Sequence, residues 1–507
     1  MKKIISEWKW SFLGLLVVAV IAFAFRFWNL TSIPVFADEA IYVRWSQVMK
    51  AESTLRFLPL SDGKPPLFMW VVIPFLKIFS DPLFAGRFVS VLTGVGTTAG
   101  VFVASYLLFK NKTASLMASI LYALSPFAIF FDRMALADSM LSFFGVWIFI
   151  GGILTAKTLR TDIAMITGFL LGGALLTKSP ALYFSLLLPV LVFFVNKKKD
   201  ILKFLFLLVP TYLIAYGMYN ILKLGPNFHM LALRNLDYVY PVSHILTSPL
   251  DPLRPFINMI LEYYWMFGIG TILILLPLGI FFNFKNNFKE ILIVLMWLLF
   301  PIIASAEFSK TMTARYIFFS LPFFMVTAAS IFVNKSKWVR FLSYTLLLIF
   351  VFQSINFNFK IINNPQTANL PRSERSGYLE EWTSGYGIME VSNFIKSEAA
   401  KDPSKRITVG TEGFFGTLPD GLLIYLTSVP HVTTIGVGLN FDTVSDQLTN
   451  SFKSGSKTYL VVNSDRYNGD GIEDGLKLVA SYPKAFRPDG TRQELYLFEL
   501  TKIVNKK

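Results

Sequence analysis

Carboxylates and cations gather at the ends of apolar runs in this chain. Asp38-Glu39 follow the first run, and Asp62-Gly63-Lys64-Pro65-Pro66-Leu67 closes the same loop. Asp132-Arg133 and Asp138 mark the end of a later run. Ionisable groups at the margin of a hydrocarbon slab are costly and are usually kept for chemistry or transport. A carboxylate such as Asp38 could serve as a general base toward a hydroxyl within hydrogen-bonding reach. It could equally be a solvated loop residue or the N-cap of the amphipathic stretch Ala40–Met49. Lys64 precedes two prolines, so its ammonium stands on a stiff, extended backbone suited to a phosphate. The plainer alternative is a lysine snorkelling at an interface.

Other positions join this set. Asp132 and Asp138 could shape an acidic pocket beside Asp38, and Arg133 either contacts a substrate or pairs with one of these carboxylates. Lys178, in Leu176-Thr177-Lys178-Ser179-Pro180, falls at a hairpin between two apolar runs. Arg315-Tyr316 follows Glu307 and Lys310 in a similar position. Both cations could grip an anionic lipid headgroup through charge-assisted hydrogen bonds, or be ordinary interfacial anchors. The substrate-binding candidates are therefore Lys64, Arg133, Lys178 and Arg315, with Asp62, Tyr316 and Glu307 beside them.

The elements that must position these groups are membrane spans. Of 507 residues, 54% are hydrophobic and 16% charged, a balance typical of an integral membrane protein. Residues 360–507 carry 17 basic and 17 acidic side chains, so the whole net charge of +15 lies in residues 1–359. That excess marks the cytoplasmic side of a membrane part. No basic, aromatic-interleaved patch of the nucleic-acid-binding kind is present. Cysteine is absent, and His229, His244 and His431 are scattered without ligand spacing.

Lys2, Lys3 and Lys9 precede the first run, with Trp8, Trp10 and Trp28 at its edges, as for a span entering from the cytoplasm. A cleaved leader ending at Ala22-Phe23-Ala24 is the competing reading. Phe68–Phe79 is apolar but short and carries Pro74 and Lys77, which fits a re-entrant or interfacial piece. With that segment not crossing, the basic clusters Lys110/Lys112, Lys157/Arg160, Lys197–Lys199, Lys285/Lys289 and Lys335/Lys337/Arg340 all fall inside. The spans are then 10–27, 86–109, 114–131, 139–157, 162–177, 180–195, 201–222, 257–282, 289–306, 316–333 and 338–357. The amino terminus lies in the cytoplasm and the tail outside, and most acidic residues of the membrane part face outward.

The fold expected is a polytopic α-helical membrane protein of about 11 spans with a C-terminal extracytoplasmic α/β domain. Residues 1–358 form the membrane domain, with a first outer loop at 28–85, and 359–376 a linker. In 377–507, β-type runs (Arg406–Thr411, Val432–Val437, Thr458–Asn463, Glu494–Leu500) alternate with helix-like stretches (Ile388–Ala400, Val444–Phe452, Glu473–Ala480). Gly410–Gly416 reads as a turn or as a loop touching an acceptor.

Together these motifs resemble the GT-C membrane glycosyltransferases, within the superfamily of protein O-mannosyltransferases and lipid A aminoarabinose transferases. The resemblance rests on Phe36-Ala37-Asp38-Glu39-Ala40, Lys64-Pro65-Pro66-Leu67, Gly86-Arg87, Arg133 through Asp138, Gly172 through Lys178, and Ala314-Arg315-Tyr316. Ser179 and Asp62-Gly63 depart from the family pattern. The resemblance implies a hexosyl or pentosyl transfer from a polyprenyl-phosphate-linked sugar at the outer face of the cell membrane, to a protein, lipid or glycan acceptor. It implies Asp38 as catalytic base, Glu39 and Asp138 assisting, and Lys64, Lys178 and Arg315 near the lipid phosphate. Mg²⁺ or Mn²⁺ would suit the carboxylates equally. A transporter or lipid flippase using the same carboxylates is the rival from another class.

Overall fold

The computed structural model describes residues 2–469, 471 and 474–503. The first helix, α1 (Lys2–Phe27), is apolar along most of its length and contacts α4 and α5. A loop then carries α2 (Ala37–Ala51) and α3 (Leu67–Phe75) before α4 (Pro82–Phe109) returns through the bundle. At a rise of about 1.5 Å per residue, nine-residue α3 is far too short to cross a hydrocarbon core of about 30 Å. It packs on α2 and α4 instead. The start of α4 is set by sequence: Asp81 Oδ1 accepts from Leu83 N and Phe84 N at 2.9 and 3.1 Å, and Pro82 occupies the first turn. Such a cap supplies acceptors for amides that have no partner within the helix.

The bundle continues with α5 (Lys112–Leu124), α6 (Pro126–Phe131), α7 (Ala137–Thr158), α8 (Thr161–Thr177), α9 (Ala181–Leu187) and α10 (Ile201–Tyr219). It is completed by α11 (Met230–Tyr238), α12 (His244–Thr247), α13 (Leu253–Gly268), α14 (Thr271–Asn283), α15 (Phe288–Phe308), α16 (Leu321–Ala329) and α17 (Lys337–Asn363). Among the described residues, six helices are long and apolar enough to cross a membrane, including α4, α7, α15 and α17. Several expected spans are broken. Residues 257–282, expected as one span, form α13 and α14 with a 105° bend between them, at Ile269 and Gly270, both of positive φ. Residues 114–131 break at Ser125-Pro126, because proline cannot donate to the ladder and its ring crowds the preceding turn.

The expected linker is not a free tether. Helix α17 runs on to Asn363, and α18 (Arg372–Arg375) follows within a packed segment. Glu374 and Glu380 are buried there; Glu374 accepts from Ala314 N at 2.8 Å, and Glu380 pairs with Arg372 and Arg375.

The C-terminal part contains α19 (Ile388–Lys401), β1 (Ile407–Glu412), α20 (Asp420–Leu426), β2 (Val432–Gly438), α21 (Asp446–Lys453), β3 (Lys457–Asn463), β4 (Leu476–Pro483) and β5 (Glu494–Leu500). The strand order is β2-β1-β3-β5-β4. Strand β1 runs parallel to β2 and β3, with Val409 opposite Thr434 and Tyr459, while β5 is antiparallel to β3 and β4. The helix expected over Glu473–Ala480 is instead β4, Glu473 itself lying outside the described residues. Leu476 pairs with Leu500 and Leu478 with Phe498, the register shifting between Leu478 and Ala480, and this long-range pairing with β5 overrides helix propensity. Helix α20 packs on α2: Arg44 donates to Thr427 Oγ1 at 2.7 Å, and Gln47 Nε2 to the Ile424 carbonyl at 2.9 Å. One apolar core runs from the helical bundle into the sheet.

Candidate active site

Asp38 stands in the first turn of α2, where its carboxylate meets two cations from distant parts of the chain. Arg315 Nη1 lies 2.5 Å from Oδ2, and Lys64 Nζ lies 3.3 Å from Oδ1. The side chains are 19, 16 and 24% exposed for Asp38, Arg315 and Lys64, so the cluster touches solvent without being flooded by it. Burial alone would raise the pKa of Asp38. The Arg315 guanidinium and Lys64 ammonium outweigh it and hold the carboxyl well below the usual carboxylate range. Both cations favour its ionised form, one facing each oxygen.

Lys64 is held in turn. Its ammonium is 3.2 Å from Asp62, whose other partner is Arg234 at 2.9 Å, and it lies 5.1 Å from the ring centre of Tyr42 and 5.7 Å from that of Trp45. Both rings act as cation–π partners. The turn that delivers Lys64 needs Gly63, whose φ is +64°. A Cβ there would come within 2.6 Å of Arg234 Cβ and 2.7 Å of the Met230 carbonyl. The departure Asp62-Gly63 noted in the sequence is therefore a fitted joint between this loop and α11.

A second pair completes the cluster. Lys178, the residue that ends α8, lies 2.5 Å from Asp138 in the first turn of α7. The Tyr316 ring is 5.3 Å from the Lys178 ammonium and 5.7 Å from the Arg315 guanidinium. Tyr316 thus links the two ion pairs. Asp38, Asp62, Asp138, Lys64, Lys178, Arg315 and Tyr316 converge at one end of the bundle. The carboxylates that Mg²⁺ or Mn²⁺ would call on, Asp38, Asp62 and Asp138, each face a lysine or arginine instead. No group of three or more such ligands is assembled among the described residues.

Three expected site residues serve the fold instead. Glu39 is fully buried and saturated. Arg87 donates to both its oxygens at 2.8 and 2.7 Å, and the amides of Ala135 and Phe36 donate at 2.6 and 3.0 Å. It ties α2 to α4 and to the turn before α7, next to the ion-pair cluster but closed to it. Arg133, expected at the substrate, is 1% exposed and donates to the carbonyls of Phe25, Arg26, Trp28 and Asn29. Its guanidinium finishes the end of α1, where helix carbonyls lack partners. Asp132 does not enter an acidic pocket: it is 2.9 Å from Arg26, with both side chains fully buried, and accepts from Ser139 at 2.5 Å. Gly94 makes room for it, since a Cβ there would fall 2.4 Å from Asp132 Oδ2.

Glu307, also expected at the site, lies in the last turn of α15. It is 5% exposed, and neither carboxylate oxygen has a hydrogen-bond partner. The structure does not bring it into the ion-pair cluster. Sequence reasoning missed Tyr42, Trp45 and Arg234. Tyr42 and Trp45 follow Asp38 by four and seven residues, a helical spacing that places all three on one face, so that signal was present. Arg234 carried none beyond its charge.

A sequence profile for the family described as dolichyl-phosphate-mannose-protein mannosyltransferase matches residues 63–218. That stretch includes Lys64, Asp138 and Lys178 and leaves Asp38 and Arg315 outside it. No curated protein matches the sequence. Among solved structures, ArnT from Cupriavidus metallidurans bound to undecaprenyl phosphate superposes with a TM-score of 0.57 at 14% identity, covering 97% of this chain and 98% of that one. The chain has the GT-C fold. The apo form of the same ArnT superposes with a TM-score of 0.56 at 13% identity, again over 97% of this chain and 98% of that one. AglB, an oligosaccharyltransferase from Archaeoglobus fulgidus, gives 0.48 at 12% identity over 97% of this chain and 74% of that one.

Proposed function

We propose that this chain transfers a glycosyl group from a polyprenyl-phosphate-linked sugar to an acceptor hydroxyl at the extracytoplasmic face of the cell membrane, inverting the anomeric carbon. The observation that carries the proposal is the carboxylate of Asp38 held between Arg315 and Lys64, with Lys178 bridged to Arg315 by Tyr316. A base and a set of cations within one cluster are what such a displacement needs. The family profile and the structural likeness to a protein that binds undecaprenyl phosphate support the donor class. The asymmetry of basic residues supports the orientation, with the amino terminus inside and the sheet domain outside.

In the proposed reaction the polyprenyl tail lies in the bilayer and the sugar phosphate enters the cluster. The acceptor oxygen attacks the anomeric carbon as its proton passes to Asp38. The bond from that carbon to the phosphate oxygen breaks, and the electron pair leaves with the polyprenyl phosphate. Lys64, Lys178 and Arg315 neutralise the charge gathering on the leaving phosphate. Tyr42, Trp45 and Tyr316 orient the cations, and Asp138 holds Lys178 until a phosphate competes for it. Residues 28–85 form the loop that carries the base, and 377–507 the domain that faces the acceptor.

Purified protein supplied with radiolabelled polyprenyl-phosphate sugars tests the reading. Loss of label from the carrier and its appearance on an acceptor is the expected result. Movement of intact carrier across a proteoliposome membrane, with no sugar released, would assign the chain to the transporters instead.

A further inference from the structure

The sheet domain carries a feature at the ends of its parallel strands that the reaction above does not use. Strand β1 lies between β2 and β3, so the chain leaves β1 toward one neighbour and later returns on its other side. Open α/β sheets hold ligands in the crevice outside the carboxyl ends of the strands at such a switch point, which here falls between β1 and β3. Glu412 ends β1 there and Asn463 ends β3. The amide N and Nδ2 of Asn463 both donate to Glu412 at 2.7 Å, while its own Oδ1 stays buried without a partner. Arg466, just past β3, stands 3.5 Å from Glu412 and 5.1 Å from the ring centre of Trp382.

Rings are exposed around this crevice. The chain turns at Gly413 and Gly416, with φ of +71° and +113°, and holds out Phe414 and Phe415, which are 68 and 46% exposed; Trp382 is 41% exposed. Clustered exposed aromatic groups mark a binding surface more often than chance placement does. This cluster adjoins the helix that bears Asp38. Phe415 lies 5.8 Å from Trp45 of α2. The carbonyl of Thr383, next to Trp382, accepts from Ala37 N at 3.1 Å, one residue before Asp38. The patch therefore meets α2 at two places, beside the base and two turns along.

We propose that this crevice binds the acceptor and that the acceptor is a saccharide. The proposal rests on the transfer reading above and names the acceptor class. The negative faces of aromatic rings attract the polarised C–H groups of a sugar ring. The Arg466 guanidinium offers donors and the unpartnered Asn463 Oδ1 an acceptor, the two kinds of group that sugar hydroxyls require. A peptide acceptor of the strand-addition type would call for a free sheet edge, and both strands at this crevice are interior ones.

The test is binding of the full-length detergent-solubilised protein to printed arrays of neutral and acidic oligosaccharides, with Ser/Thr peptides printed alongside. Saccharide spots retain the wild type, and Trp382→Ala and Phe415→Ala each weaken that retention by about tenfold or more. Trp382→Phe, which keeps a ring face, retains most of it. Asp38→Asn still binds, because the assay needs no turnover; a failure of the transfer reading would thus leave the array result standing. Saturation-transfer NMR on the unmodified protein, irradiating aromatic protons, gives a readout independent of any folding defect in the variants. No saccharide retention, retention indifferent to both alanines, or peptide retention that the alanines abolish would each overturn the proposal.

Discussion

Arg315 Nη1 and Asp38 Oδ2 lie 2.5 Å apart, joining the turn before α16 to the first turn of α2. With Lys64 on the other oxygen, the carboxylate rests in a self-neutralised state. A phosphate entering the cluster competes for the same two cations. In the proposed reaction, donor binding therefore loosens Asp38 and makes it more basic at the moment a base is needed.

Asp38→Asn keeps the shape of the side chain and removes its ability to take a proton. Glycosyl transfer falls by about 10²–10⁴-fold, while the protein still elutes as a single folded species in detergent. Turnover within a few-fold of wild type would remove Asp38 from the role of base.

Arg315→Gln removes the nearest charge opposing the effect of burial on Asp38. The pKa of Asp38 rises, so the base is protonated over a wider acid range. The acid limb of kcat/KM shifts to higher pH by about one unit or more, on top of a lower maximum from the weakened hold on phosphate. A lower maximum with an unmoved limb would mean that Arg315 serves the phosphate alone.

Lys178→Ala leaves Asp138 without its partner and removes one of the three cations assigned to the leaving phosphate in the proposed reaction. The apparent KM for the lipid-linked donor rises by about tenfold, a size expected for one charge-assisted contact. Donor titration in single-turnover experiments measures it, and an unchanged donor affinity would detach Lys178 from the phosphate.

Much of the cluster was legible because charge at a membrane margin is conspicuous. Asp38, Lys64, Asp138, Lys178, Arg315 and Tyr316 stand out as polar breaks between apolar runs, and the structure gathers them. The charged residues held outside the cluster have one thing in common. Glu39, Arg133 and Asp132 have the same residue types at neighbouring positions, but each is turned into the protein, toward Arg87, the end of α1 and Arg26. Which face of a turn looks inward depends on tertiary packing that local spacing does not encode. The same holds for β4, whose pairing with β5 decided a stretch with an ambiguous period.

That distinction has its own test. Glu39→Ala leaves the Arg87 guanidinium buried without a counter-charge, and breaking such a pair costs about 3–5 kcal/mol. Arg133→Met strands the carbonyls at the end of α1 in the same way. Both variants show a clear fall in thermal unfolding temperature, which Lys178→Ala, in a partly solvated pair, does not match. A wild-type unfolding temperature in Glu39→Ala would show that the Arg87 pair does not hold the fold.

The sheet domain contains a lysine whose charge opposes folding over a defined pH range. Lys484 is 1% exposed, and its ammonium donates to the Glu381 carbonyl at 2.9 Å and reaches Gln493 Oε1 at 3.4 Å. Burial pushes its pKa down to about 7 against the pull of Glu412, Glu381 and Asp465. An unfolded lysine titrates near 10.4, so between about pH 7 and 10 the unfolded chain holds a proton that the folded domain has released. Stability therefore rises with pH across that window and levels off on either side of it. Lys484→Met removes the titrating group and flattens the rise. Amide hydrogen exchange in β3 and β5, corrected for intrinsic rates and followed across the window, measures both curves; equal slopes in wild type and variant would show that Lys484 stays charged in the folded domain.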